Sequence, residues 1–297
     1  MTPESAAGVD GGKEGLHVLR HQSRRISFVV LALVGAALLM PVRALAQASF
    51  TQSQPDNHIT SAERARPCSE RTDILGVERT VEIDTATAPR FGDQFNNNSF
   101  LADGEVVLTF DDGPMRRYTL PILEALSAEC TKATFFTVGQ MAIADSGMLK
   151  EVAKRGHTIG FHTWSHRNVA AAGAEGAKRE IELGLSAVSA ALGEPIAPFF
   201  RFPYLAYNKA NLTYLAGRGI ATFGIDVDSK DFLTRNPGNV YRKVLDQLAK
   251  TKKGIILFHD IHPSTAGAIA SLLAELKVRG FKAVSYTHLT LPTNREV

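Results

Sequence analysis

From Val106 onward the chain alternates short, almost continuously apolar segments with longer ones whose apolar residues recur every three or four positions. A short continuous apolar run is what a strand buried on both faces requires, whereas the three-to-four spacing lays one apolar stripe along a helix. The pattern predicts strands over 106–110, 133–138, 158–161, 199–202, 221–225, 255–258 and 283–285. It predicts helices over 119–128, 148–155, 174–192, 208–218, 240–251 and 266–279, the third carrying Ile181, Leu185, Val188 and Leu192 on one face. Strands and helices in turn imply an α/β fold, a parallel sheet joined by right-handed crossovers.

Upstream the texture changes. Residues 74–83, ILGVERTVEI, alternate as a strand does, and the loop RFGDQFNNNSF follows. This 74–98 stretch is too short to bury a core of its own, so it reads as an accessory strand and loop packed on a domain spanning 99–286. Residues 47–73 begin polar and rich in Gln, Ser and Asn, the composition of a linker. Residues 1–46 run from a polar stretch ending in Ser23-Arg24-Arg25, through an apolar run over 26–40, to Pro41 and ALAQA. That is the order of a signal peptide cleaved after Ala46, and the run is short of the roughly 20 residues a membrane span needs. The expectation is an exported protein, periplasmic or secreted, with an uncleaved anchor facing outside as the alternative. Residues 287–297 continue no pattern and read as a non-native tail, a short native tail being the alternative.

With 297 residues and 44% hydrophobic content the chain can bury one large core, and without a repeat it is not a solenoid. Its net charge of +3 falls to about +1 once the five basic and three acidic residues of 1–46 are removed. Near-neutrality argues against a nucleic-acid partner. An even pair of cysteines, Cys68 and Cys130, in an oxidising compartment favours a disulfide over two inert thiols.

Four segments carry chemistry. In TFDDGP, Asp111 and Asp112 are adjacent carboxylates at the end of a buried strand, where they persist mainly if a cation or a proton-transfer task requires them. The DDG and DGP steps are also ordinary turn chemistry. In GHTIGFHTWSH, His162 and His166 stand at a spacing that shares one face of a helical turn, so both rings can reach one ion; a capped surface turn fits the same spacing. One added carboxylate makes a His2Asp set suited to zinc, with a position open for water. FFRFPY puts Arg201 in an apolar stretch ended by Pro203, where a buried guanidinium needs a carboxylate and an edge strand would leave it on the surface. GIILFHDIH delivers His259 and Asp260 at the carboxyl end of a strand, where parallel α/β folds gather catalytic side chains.

The order of these segments resembles the polysaccharide deacetylases of the NodB-homology type, carbohydrate esterase family 4. TFDDGP, HTWSH for H-[ST]-x-x-H, RFPY for R-x-P-Y, DSKDF for D-x-x-D-W and LFH for L-x-H follow one another across 98–286. The resemblance implies closure of the sheet into a distorted (β/α) barrel and N-deacetylation of an extracytoplasmic glycan, chitooligosaccharide or peptidoglycan in type. It implies that Asp112, His162 and His166 hold a divalent metal, Zn2+ foremost and Co2+ or another ion in its place. Asp111 is then the base, Arg201 its partner, His259 the acid and Asp231 the residue that orients His259. Tyr204 lends its main-chain N–H to the oxyanion, Leu257 faces the acetyl methyl, and Pro203 and Phe232 belong to the substrate wall. Phe232 stands where the family motif has Trp, and Asp226 or Asp228 could share the task given to Asp231. An O-acetylated polysaccharide or a small amide would suit the same chemistry, and a non-catalytic glycan-binding module is a third reading.

Overall fold

The computed structural model describes residues 66–97 and 100–288. The proposed signal segment, most of the linker and the last nine residues of the proposed tail lie outside the described residues. The elements in chain order are β1 (Arg79–Ile83), β2 (Arg90–Phe91), β3 (Glu105–Asp111), α1 (Arg116–Ala128), β4 (Thr134–Thr137), α2 (Gly139–Ala144) and α3 (Ser146–Lys154). Then come β5 (Thr158–Phe161), α4 (Ala174–Leu192), β6 (Phe199–Phe200), α5 (Lys209–Gly217), β7 (Ala221–Phe223), β8 (Val227–Asp228), α6 (Pro237–Thr251), β9 (Gly254–His259), α7 (Pro263–Val278) and β10 (Lys282–His288). Among the described residues no helix is long and apolar enough to cross a membrane.

Every ladder between named strands is parallel, and the strands curl in the order β7, β6, β5, β4, β3, β9, β8. Among the described residues no ladder joins β7 to β8, so this (β/α) barrel is distorted and open along one seam. Strand parity divides the core in two. On β3, Val106, Leu108 and Phe110 pack outward beneath the helices, while Val107 packs in a second cluster with Phe136, Phe199, Phe223 and Ile255 from the other strands. Period two then places Thr109 and Asp111 on the inward side with Val107. The same rule turns Leu257 and His259 inward from β9 and Arg201 inward beyond Phe199 of β6.

The amino-terminal end of the barrel is closed by β10, which pairs with β1 and with the start of β3. Tyr286 of β10 lies 5.1 Å from the Phe223 ring and is buried with it, so one end of the barrel is sealed by aromatic packing and the site is confined to the other.

Several boundaries differ from the hydrophobic pattern, among them the end of β6, which stops at Phe200, and three others show their cause directly. The strand predicted over 74–83 begins only at Arg79, because the N–H groups of Leu75 and Gly76 donate to Glu129 beyond α1. The strand predicted to reach 225 stops at Phe223, whose carbonyl, with that of Gly224, accepts from the Arg201 guanidinium. The last strand runs on through Thr287 and His288, which pair with Glu82 and Ile83 of β1. Cys68 and Cys130 are joined by a disulfide that ties the first described turn to the residue pair after α1, and Arg71 donates to Ala128 alongside it.

Candidate active site

The proposed ligands, base, acid and their partners arrive at the carboxyl end of the barrel, whereas Asp226 lies against the start of β9. Asp111 ends β3, His162 follows β5, Arg201 follows β6 and His259 ends β9. The backbone here is held in unusual torsions. Asp112, Thr163, His166, Tyr204, Leu205 and Lys230 all have φ between 54° and 77°, in the left-handed region that non-glycine residues rarely occupy. Such torsions cluster where a site imposes its geometry on the chain.

His162 and His166 do not share a helical turn. The 162–166 segment is a non-helical bend, and the two rings meet because Thr163 and His166 take positive φ. Their centroids stand 5.0 Å apart. Nε2 of His166 is 3.2 Å and Nε2 of His162 is 3.6 Å from Oδ1 of Asp112. The Nδ1 of His162 lies 2.7 Å from the carbonyl oxygen of Arg201, an atom that only accepts, so Nδ1 carries the proton. Burial, together with the nearby His166, depresses the His162 pKa well below the ordinary range and keeps the ring neutral. Its Nε2 is therefore a bare lone pair facing a carboxylate oxygen that is itself buried with no hydrogen-bond partner. Two acceptors facing one another in a low-dielectric site are unfavourable unless a cation lies between them. The donor set, two imidazoles and one carboxylate with an open side, suits zinc or a similar divalent ion.

A second group, Asp231, His259 and His262, also brings its potential ligand atoms within 4.8 Å of one another. Its carboxylate is already satisfied. Oδ1 accepts from His259 Nδ1 at 2.7 Å, and Oδ2 accepts from the His259 N–H at 2.7 Å and from the Thr265 hydroxyl. This is an imidazole held by a carboxylate, a different arrangement from the bare oxygen of Asp112. Burial alone would lower the His259 pKa, but the bond to Asp231 and its charge, helped by Asp111 and Asp112, raise it to about 9. Neither alternative carboxylate takes part in this contact: Asp226 accepts from the Ile255 N–H, and Asp228 pairs with Lys230 at 2.6 Å.

Asp111 is 2% exposed and Arg201 is fully buried, so the two charges are interdependent. Nη1 of Arg201 donates to Asp111 Oδ1 and to Thr109 Oγ1, each at 2.7 Å. Its remaining N–H groups reach the Phe223 and Gly224 carbonyls, and its guanidinium lies 4.3 Å from the centroid of the Phe136 ring. Burial pushes the Asp111 pKa up to about 6, against the opposing pull of Arg201 and His259. A carboxylate poised there accepts a proton readily near neutral pH.

These groups open into a cavity of about 460 Å³ lined by Asp111, Asp112, His162, His166, Leu257 and His259, with the Tyr204 ring beside His166 and the Phe232 ring beside His259. Tyr204 is 68% and Phe232 48% exposed, and the Phe232 ring stands edge-on to His259 at 5.7 Å. Pro203 does not line the cavity as expected. It is buried at the first position of a short turn, Pro203–Leu205, in which Tyr204 takes a φ of 58°. His262, Lys230, Phe202 and Leu205 also face the cavity and were not singled out in the sequence, although LFHDIH contains the extra histidine. Asp260, which the sequence placed beside His259 without a task, is buried and accepts from the Gly113 N–H and the Thr119 hydroxyl. It supports the DDGP turn, and a Cβ on Gly113 would lie 2.1 Å from its carboxylate.

The polysaccharide deacetylase family model matches residues 101–223. A peptidoglycan-N-acetylglucosamine deacetylase of Listeria monocytogenes is 33% identical over 184 residues, which is 62% of this chain and 38% of that protein. A chitooligosaccharide deacetylase of Sinorhizobium fredii is 30% identical over 191 residues, 59% of this chain and 87% of that protein. Among solved structures, a peptidoglycan deacetylase of Bdellovibrio bacteriovorus superposes with a TM-score of 0.65 at 32% identity, covering 74% of this chain and 61% of that one. The match thus spans little more than a third of the Listeria relative and most of the Sinorhizobium one. With the parallel barrel, the motif segments gathered at one end of it and these likenesses, the chain belongs to the polysaccharide deacetylase family.

Proposed function

We propose that this chain is a divalent-metal-dependent hydrolase that removes N-acetyl groups from an exported amino-sugar polymer or oligomer, of chitooligosaccharide or peptidoglycan type, and releases acetate. The observation that carries the reading is the bare Asp112 oxygen facing the Nε2 atoms of His162 and His166. The names of the Listeria and Sinorhizobium relatives support N-acetylated glycan as the substrate.

Asp112, His162 and His166 would hold the ion, Zn2+ foremost. Such an ion supplies a Lewis acid and lowers the pKa of water. Asp111 takes the proton that the attacking water gives up, and Arg201 holds its carboxylate in place through the 2.7 Å bond to Oδ1. The Tyr204 main-chain N–H donates to the oxyanion as it develops. His259, kept charged by Asp231, hands its Nε2 proton to the amine nitrogen as the amide C–N bond breaks. Leu257 gives the acetyl methyl an apolar contact, and Phe232 and Tyr204 offer ring faces to the sugar.

Acetate release from a panel of N-acetylated glycans, O-acetylated polysaccharides and small amides tests this reading. Release from N-acetylglucosamine oligomers or peptidoglycan is expected. Release from O-acetyl esters alone would move the substrate assignment, and binding of glycan without release of acetate would make the chain a glycan-binding module.

A further inference from the structure

The loop that carries His166 is gripped from outside the cleft by a carboxylate that the proposed chemistry does not use. Glu180, on α4, accepts the Ser165 N–H at Oε2 and the Ser165 hydroxyl at Oε1, both at 2.9 Å. Its own carbonyl accepts the Trp164 N–H, again at 2.9 Å. From the other side, the Gly139 and Gln140 N–H groups at the start of α2 donate to the Thr163 and Trp164 carbonyls. Helix and loop are in such close contact that a Cβ on Gly184 would lie 2.5 Å from the Thr163 carbonyl carbon.

The two histidines depend on this grip to different degrees. His162 is 1% exposed and its ring is locked by its own bond to the Arg201 carbonyl. The His166 side chain is 29% exposed, and among the described residues its ring has no comparable bond on the far nitrogen. Its place is set by a main chain held at φ 59° directly after the gripped Ser165. Left-handed torsions in non-glycine residues persist only where the surroundings impose them.

We propose that Glu180 is a positioning residue for the metal centre: through the two bonds of its carboxylate to Ser165 it fixes the loop so that His166 presents Nε2 beside His162 and Asp112. The proposal rests on the reading of Asp112, His162 and His166 as ligands. Outer partners of this kind are generally worth 10- to 100-fold in metal affinity.

The test is zinc affinity of the full chain, by competition with a chromophoric chelator, with the melting temperature of the metal-free protein measured in parallel. Glu180→Ala should bind zinc about 10- to 100-fold more weakly than the parent. Glu180→Gln should recover to within about threefold, because an amide can accept the Ser165 N–H and donate to the Ser165 hydroxyl. Glu175→Ala, on the exposed side of the same helix and paired with Lys178, should leave affinity unchanged. If Glu180→Ala does not fold, Ser165→Ala carries the test and should weaken binding about three- to tenfold. Parent-like affinity in Glu180→Ala, or in Ser165→Ala where that variant stands in, overturns the proposal, as does a Glu180→Gln loss equal to that of Glu180→Ala. Failure of the parent itself to bind zinc overturns the ligand reading instead.

Discussion

Replacing Asp231 by Asn should move the alkaline limit of catalysis, and the structure sets the size of the effect. The His259 ring is largely buried, and burial is the strongest influence on it, favouring the neutral form. It is nevertheless held at about 9, above the ordinary 6.5, because its Nδ1–H meets a buried carboxylate at 2.7 Å and Asp111 and Asp112 add their charges. The difference corresponds to roughly 3 kcal/mol of preference for the imidazolium. Without the Asp231 charge, burial should return the ring to about 6.5 or below. The acid must be protonated and the base, Asp111 at about 6, must be ionised. In the parent, activity therefore falls as pH drops through about 6, where Asp111 takes up its proton, and falls again as pH rises through about 9, where His259 loses its own. In Asp231→Asn the upper limb should slide down to meet the lower one. The deficit in kcat/KM should be small near pH 6, roughly tenfold at pH 7.5 and near a hundredfold at pH 8.5. A further, pH-independent loss is expected from the amide itself, since its NH2 must face a donor, whether the His259 Nδ1–H or the His259 N–H. Initial rates of acetate release from an N-acetylglucosamine oligomer across pH 5 to 10 measure both components. An unmoved alkaline limb with a uniform loss at every pH would refute the assignment of His259 as an acid charged by Asp231.

Asp111→Asn keeps the shape of the residue and leaves the three proposed ligands in place, so zinc content should stay near the parent value while kcat falls about 100-fold or more; loss of metal instead would exchange the roles of the two aspartates. Phe232→Trp should change KM or preference among glycans by a few-fold to about tenfold, with little change in kcat or zinc affinity, and a uniform fall in kcat would place residue 232 with the acid pair and not with the sugar wall. Reduction of the Cys68–Cys130 bond, which closes a loop with a sequence separation of 62, should lower unfolding free energy by up to about 4 kcal/mol in denaturant titrations while leaving the site intact. An unchanged midpoint would show that the segment before β1 contributes nothing to the stability of the barrel.

Strands β3 and β9 were legible in the sequence because both of their faces are buried, which leaves a nearly continuous apolar run, broken inside β3 only by Thr109, that ends in the cleft at Asp111 and His259. The two-residue strands β2 and β8 and the short helix α2 carry too few residues for any period to show. The hydrophobic alternation of 74–78 was real but lost to a long-range contact, the Glu129 carboxylate taking the Leu75 N–H. Within the site, residues that stand in a motif were visible, while those that act by reaching across the fold were not. Thr265 on Asp231, Thr119 on Asp260 and Glu180 on Ser165 are joined across 34, 141 and 15 positions respectively. Pro203 shows the converse, since its motif position was visible and its orientation, set by a turn that buries the ring and exposes Tyr204, was not.

The central claim is that Asp112, His162 and His166 hold an ion on which N-deacetylation depends. It is tested most directly by stripping the protein with chelator, verifying its metal content and following acetate release from an N-acetylglucosamine oligomer as zinc is added back. Activity should be absent at the start and rise to a plateau at about one zinc per chain, with His162→Ala neither binding the ion nor recovering. Full activity in the verified metal-free protein, or the same recovery in His162→Ala, would contradict the account.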